Sequence, residues 1–257
     1  MLKREDIHRF LKENGILCTD TVLVHTSMRA LGEVEGGCDG LIDAFTSYLS
    51  EGLFIVPTHT WANVGEENPV YDVRATVPCI GALPGVAAFR SDGVRSLHPT
   101  HSVAAFGKRA AEYVKGEENA RTPAPIGGAW SRLYDERAKI LLLGVGLNRN
   151  TFIHAVDEMI DLPGRLVKPI RLKIVDSMGR ETETDFCKHG TTGSQNFENY
   201  RAPFEYLGVM RGAVLGNARV EIIDAEKMTA AVKMLWEKAD YDLCAEKREI
   251  PKEYYVR

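Results

Sequence analysis

The segment "GVGLNRNTFIHAVDEM", residues 144–159, places one histidine before two carboxylates. His154 and Asp157 are three residues apart and Glu158 is four from His154, so a helix would carry all three on one side. A carboxylate beside an imidazole orients the ring and raises its basicity, which suits a general base. A histidine that only packs or caps a helix would show the same spacing. The pattern therefore indicates proton chemistry at His154 as one of two open interpretations.

Two further histidines lie in "HPTHS", residues 98–102. Pro99 keeps His98 extended and excludes a helix interior, so His98 and His101 cannot form the helical i, i+4 pair of a zinc site. A metal site would have to recruit His25, His59 or His154 from elsewhere. We therefore predict no metal, and we expect His98 and His101 to anchor a loop through hydrogen bonds to the backbone.

Hydroxyl side chains follow the first apolar run in "VHTSMRALGEVEGG", residues 24–37. Hydroxyls and free backbone N–H groups beyond a strand end can hold a phosphate or pyrophosphate without a lysine. Thr26 and Ser27 are placed for that role, although an ordinary polar turn would look the same. Neither GxxxxGK[ST] nor GxGxxG occurs in the chain.

Three acidic residues alternate with threonines at Glu181, Glu183 and Asp185. In a strand they would share one face. Such a face is either a solvated edge or an anionic wall for a cationic substrate.

The elements that must position these residues alternate between strand and helix patterns. "TVLVHTS" (21–27), "GLIDAFTSYLS" (40–50) and "GLFIVPT" (52–58) predict a βαβ unit, and "KILLLGVG" (139–146) is apolar on both faces, as in a covered central strand. "IRLKIVDSMGRETETDF" (170–186) predicts an antiparallel hairpin. We predict an α/β fold: a three-layer sandwich around a largely parallel sheet, with an added antiparallel hairpin in the C-terminal third, as a single domain over 1–257.

Composition narrows the class of protein. The 257 residues are 44% hydrophobic with a net charge of −4, so the chain offers no basic field for nucleic acid. No apolar run reaches the roughly 20 residues of a membrane helix. The five cysteines are scattered and never in CxxC spacing. We expect a cytoplasmic protein with reduced thiols, without nucleic-acid or membrane partners.

Several strings together resemble one enzyme family. "VLVHTSM", "VPTHT", "GALPG", "RSLHPTHSVAAFG", "SRLYDERAKILLLGVG" and "NTFIHAVDE" resemble, in order and spacing, the aminoglycoside 3-N-acetyltransferases over about residues 20–160. The resemblance implies transfer of acetyl from acetyl-CoA, as co-substrate, to the 3-amino group of a 2-deoxystreptamine aminoglycoside, a polycationic small molecule.

The resemblance also implies roles for individual residues. His154 matches the catalytic histidine of the family, and Asp157 stands where the family usually has Glu. Glu183 and Asp185 are the nearest match to an acidic pair that supports the histidine and the cationic substrate. The residues matched to the acetyl-CoA site are His25, Thr26, Ser27, His98, Ser102 and Val103.

Three alternatives stay open from the sequence. The first is an acyltransferase of the same fold that acts on another amine. The second is a metal-dependent hydrolase that uses the scattered histidines, and the third is a catalytically silent CoA-binding protein.

Overall fold

A computed structural model describes residues 1–190 and 194–256. Its strands are β1 (Thr21–Thr26), β2 (Leu53–Pro57), β3 (Val70–Asp72), β4 (Gly93–Arg95), β5 (Val103–Phe106), β6 (Lys139–Leu143), β7 (Leu166–Val175), β8 (Glu181–His189), β9 (Met210–Leu215) and β10 (Ala218–Asp224). Its α-helices are α1 (Arg4–Glu13), α2 (Met28–Leu31), α3 (Gly37–Tyr48), α4 (Ala82–Ala87), α5 (Ala110–Tyr113), α6 (Ala129–Asp135), α7 (Phe152–Met159), α8 (Arg201–Tyr206) and α9 (Ala225–Lys238).

The main sheet has seven strands in the order β4-β5-β2-β1-β6-β10-β9. β1 pairs in parallel with β2 on one side and β6 on the other. β5 and β10 are antiparallel to their neighbours, so the other five strands share one direction. This confirms the predicted largely parallel sheet, with the apolar run at 139–143 beside its centre.

Apolar side chains cover both faces of this sheet. Alternate residues of β1 point to opposite sides, so Leu23 joins one core while Val22 and Val24 join the other. Helices α5 to α9 pack in the first core, and α1 to α4 pack in the second. A strand that is apolar on both faces needs a helical layer on each side, which gives the predicted three layers.

The predicted hairpin is present as β7 and β8, but it belongs to a second, smaller sheet. β7 pairs antiparallel with β8 and parallel with β3. The turn is closed by Asp176, whose Oδ1 accepts the Met178 N–H at 2.8 Å, and by Gly179, whose φ of +80° favours glycine. The small sheet has its own apolar cluster, formed by Val64, Tyr71, Leu172, Ile174 and Phe186.

Over the described ranges, no helix has both the length and the apolar character needed to cross a bilayer.

Candidate active site

A cleft of about 790 Å³ opens where the three central parallel strands end. His25 and Thr26 line it from the end of β1, His59 lies just beyond β2, and His154 comes from α7 beyond β6. The hairpin closes another side through the end of β8. Open α/β sheets bind ligands at the carboxyl ends of parallel strands, and this volume lies within the range of small-molecule sites. The cleft is therefore the candidate active site.

His154 stands one turn into α7, which follows β6 closely. The buried Asn150 fixes the start of this helix, because its Oδ1 accepts the Phe152 N–H at 3.2 Å. His154 Nδ1 is buried and lies 3.7 Å from Asp157 Oδ2, slightly longer than a direct hydrogen bond. Burial lowers the pKa of His154, and Asp157 partly opposes that shift. The ring is therefore neutral near pH 7 and able to accept a proton.

A second carboxylate–histidine pair stands beside the first. His189, at the end of β8, donates from Nε2 to Glu158 Oε1 at 2.7 Å. The other bonds to Glu158 come from the Thr122 hydroxyl at 2.5 Å and the Ala124 N–H at 2.8 Å. The rings of His154 and His189 are 4.5 Å apart. Glu158 thus serves His189, although sequence spacing had placed it with His154.

Besides His154, two histidines in the cleft wall carry buried nitrogens without hydrogen bonds in the described part of the chain. These atoms are His25 Nε2 and His59 Nε2, and the Thr26 hydroxyl is in the same condition. Burial lowers the pKa of His25 to about 3 and lowers the pKa of His59 well below its usual range. Buried polar atoms normally have partners, so these three are suited to hydrogen-bond a molecule in the cleft.

Among the described residues, no three His, Cys, Asp or Glu side chains come together as a set of metal ligands. His59 and His101 are close, with ring centres 4.7 Å apart, yet no carboxylate or third ligand from the described residues completes a site around them.

Known proteins with the same sequence pattern define the family. The profile described as aminoglycoside 3-N-acetyltransferase matches residues 23–237. The chain belongs to the aminoglycoside 3-N-acetyltransferase family. It is 30% identical over 263 residues to aminoglycoside N(3)-acetyltransferase VII of Streptomyces paromomycinus, covering 88% of this chain and 90% of the relative. It is 24% identical over 253 residues to aminoglycoside N(3)-acetyltransferase III of Serratia marcescens, covering 88% and 94%.

Solved structures of aminoglycoside acetyltransferases have the same fold. AAC-IIIb in a binary complex with CoASH superimposes with a TM-score of 0.80 at 21% identity, covering 92% of this chain and 96% of that one. A mutant of AAC(3)-IVa in complex with a gentamicin gives a TM-score of 0.77 at 22% identity, covering 92% and 89%. These matches confirm the α/β fold, and the family match places the chain among acyltransferase enzymes.

The residues that resemblance to the acetyltransferase family assigned to acetyl-CoA divide into two groups. His25 and Thr26 line the cleft. The other four lie outside its lining: Ser27, His98, Ser102 and Val103. Ser27 caps α2, because its hydroxyl accepts the Ala30 N–H at 3.3 Å.

His98 and Ser102 support the cleft from behind. His98 is buried, donates from Nε2 to the Thr122 carbonyl at 3.0 Å, and accepts the His101 N–H at Nδ1 at 2.9 Å. Ser102 is also buried and donates to the Thr58 carbonyl at 2.8 Å. Val103 is buried in β5, beside Pro57. The anchoring role expected for His98 is what its hydrogen bonds provide.

The acidic pair that the acetyltransferase family suggested does not reach the cleft. Arg171 of β7 binds Glu183 at 2.9 Å and Asp185 at 2.9 Å, and the two carboxyl side chains are 53% and 58% exposed. Strand alternation is the reason, since Thr184 and Phe186 occupy the buried face of β8 and their neighbours must point outward. The structure therefore places Glu183 and Asp185 on a solvated edge, away from His154.

The charge of the cleft is unusual for a site that would hold a polycation. Its described lining contains no aspartate or glutamate, although Lys188 and Arg149 both line it. Asp157 and Glu158 lie behind the histidines. Asp157 faces His154 and Arg165 there, and Glu158 binds His189. His189 and Lys188 had no predicted role, because only the fold brings the end of β8 to the sheet edge. Arg149 follows β6 and had no predicted role either.

Proposed function

We propose that this protein is an acetyl-CoA-dependent N-acetyltransferase in which His154 is the general base. The observation that carries the proposal is the position of His154: a neutral, carboxylate-backed imidazole in the wall of the cleft at the ends of the parallel strands. Nδ1 is buried against Asp157, which leaves Nε2 for a molecule in the cleft.

The reaction needs such a base. An alkyl amine is protonated at neutral pH and becomes a nucleophile only after it loses a proton. A positioned base contributes about 10²- to 10⁴-fold to the rate. Asp157 orients the ring and bears part of the positive charge that develops when His154 takes the proton.

Polar groups around the cleft fit a thioester donor with phosphates. His25 Nε2, His59 Nε2 and the Thr26 hydroxyl are buried and available to hydrogen-bond the donor. The cationic side chains Arg149 and Lys188 also line the cleft and can meet phosphate charge. His98, Ser102 and Val103 support this wall from outside its lining, and Ser27 caps the helix that follows β1.

Family membership supports the 3-amino group of a 2-deoxystreptamine aminoglycoside as the acceptor. A second candidate is an amine with few positive charges. It is favoured by the absence of carboxylates from the described lining of the cleft and by the outward direction of Glu183 and Asp185. A polycation gains from a negative field and loses in a positive one.

The test is release of CoA thiol from acetyl-CoA with a panel of 2-deoxystreptamine antibiotics and simple monoamines. We expect His154→Gln to lower kcat by about 10²-fold or more, because it removes the base. His8→Gln is the matched control, since His8 lies on α1, outside the cleft, and this variant should keep wild-type turnover.

The acceptor with the highest kcat/KM decides between the two candidates. Aminoglycosides well ahead of monoamines would support the first, and the reverse order would support the second. Wild-type protein that releases no thiol with any amine would contradict N-acetyl transfer. A folded His154→Gln variant with a kcat within threefold of wild type would contradict the assignment of His154 as the base.

A further inference from the structure

We propose that His189, held by Glu158, is a second catalytic residue that delivers a proton to the departing CoA thiolate. The inference rests on the proposed acetyl transfer and assigns a general acid in addition to the general base His154. It assigns separate proton steps to the two adjacent histidines.

The geometry around His189 is that of an oriented acid. Its Nε2 donates to Glu158 at 2.7 Å, and Glu158 is fixed in turn by Thr122 and Ala124. Its Nδ1 makes no hydrogen bond within the described ranges, and the residue lines the cleft, so Nδ1 is the nitrogen left for a substrate. Glu158 is in place to balance the positive charge of the ring when the ring is protonated. This contact is shorter than the 3.7 Å between His154 and Asp157.

The chemistry of acetyl transfer requires two proton transfers. The amine nitrogen forms the new C–N bond and loses a proton, while the C–S bond breaks and the sulfur leaves as a thiolate that must gain one. His154 receives the first proton and His189 supplies the second. Their ring centres are 4.5 Å apart, so the two rings can serve the nitrogen and the sulfur that are both bonded to one reacting carbon. Passage of the proton from His154 to His189 then restores both residues, and the balance is amine plus thioester to amide plus thiol.

The environments of the two rings suit His154 as the base and His189 as the acid. Burial favours the neutral form of His154 through its lowered pKa, and a neutral ring is the one that accepts a proton. His189 has the direct carboxylate contact that a charged ring needs. Neighbouring titratable groups in contrasting environments are how active sites separate an acid from a base.

The experiment compares pH profiles of kcat for wild type, His189→Gln and Glu158→Gln, with saturating acetyl-CoA and the best acceptor amine. The acidic limb of the wild-type profile should require neutral His154. We expect His189→Gln to lower kcat by about 10²-fold and to keep that acidic limb, because His154 is unchanged in this variant. The KM for acetyl-CoA should change less than about threefold, because His189 acts on the leaving sulfur only after acetyl-CoA has bound.

Glu158→Gln keeps a hydrogen-bond acceptor for His189 but removes the charge. It should lower kcat less than His189→Gln does and leave the KM for acetyl-CoA unchanged, whereas loss of a purely structural residue would change binding as well. Cys187→Ser, a substitution two positions earlier in β8, is the control and should behave as wild type.

Two outcomes would overturn the assignment of the acid alone: His189→Gln with turnover within threefold of wild type, or with a KM for acetyl-CoA raised as much as kcat is lowered. If His189→Gln does not fold, a Glu158→Gln variant with wild-type kcat would also overturn the assignment. Wild-type protein inactive with every amine would instead overturn the proposed function, and this inference with it.

Discussion

Asp157 is the carboxylate that lies beside the proposed base. It is 1% exposed, and its Oδ2 lies 3.7 Å from His154 Nδ1 and 3.5 Å from Arg165 Nε. Arg165 also forms an ion pair with Asp242, with its Nη1 at 2.7 Å from Asp242 Oδ2. Asp157 therefore connects the histidine to a buried arginine, and its charge acts on both.

We predict that Asp157→Asn lowers kcat about tenfold and shifts the acidic limb of its pH profile to lower pH. The sign follows from the pKa of His154, which the carboxylate raises; without it the ring stays neutral in more acidic solution but is a weaker base. Loss of the buried charge should also cost about 1–3 kcal/mol of unfolding free energy. Steady-state kinetics and urea unfolding measure both effects, and an unchanged limb would separate Asp157 from His154.

At the scale of elements, the β7–β8 hairpin has two faces with different functions. Its outer face carries the pairs of Arg171 with Glu183 and Asp185, all more than half exposed. Its inner face carries Phe186, which is fully buried, lines the cleft and packs edge-on against His98 at 5.5 Å. The same strand ends at His189. The hairpin thus contributes to the site through its inner face and its end.

The double variant Glu183→Gln, Asp185→Asn should leave the KM values for acceptor and acetyl-CoA within about twofold of wild type. Exposed ion pairs contribute about 0–1 kcal/mol, so stability should also change little. By contrast, Phe186→Ala should cost about 3–5 kcal/mol and impair turnover, because it leaves a void under the end of β8. A several-fold, salt-sensitive rise in the aminoglycoside KM of the double variant would restore Glu183 and Asp185 to the site.

For the whole molecule, the histidine cluster makes stability depend on pH. Burial lowers the pKa values of the five residues His25, His59, His98, His101 and His154. In the unfolded chain these rings bind protons below about pH 6.5. Their contribution to stability is therefore complete above that pH and is lost as the pH falls toward the folded-state values.

We predict that unfolding free energy falls steeply between about pH 6.5 and pH 5, by up to about 1.4 kcal/mol per pH unit for each buried histidine. Total stabilities of about 5–15 kcal/mol make this loss decisive. His25→Asn should flatten the slope by about one proton, because the pKa of His25 is about 3 in the folded protein. His8→Gln, outside the cluster, serves as control. Urea unfolding across this range measures the slope, and a flat profile would contradict neutral burial of the cluster.

The sequence by itself determined the fold class, the family and the place of His154. Apolar runs at 21–26, 53–57 and 139–143 had to become covered strands, because they are apolar on both faces, and the turn at Asp176–Gly179 had to close a hairpin. His154 follows such a strand at a distance of a few residues, so local pattern was enough to place it at the sheet edge.

Only the tertiary structure decided which side chains meet. His189 is 35 residues beyond His154 in the chain, and its contact with Glu158 depends on how the hairpin packs over the sheet. Alternation fixed Glu183 and Asp185 to one face of β8, yet packing of the opposite face against Tyr71 and Ile174 decided that this face is the exposed one. Periodicity specifies the relative direction of neighbouring side chains, whereas burial of the small apolar cluster chooses between the two directions.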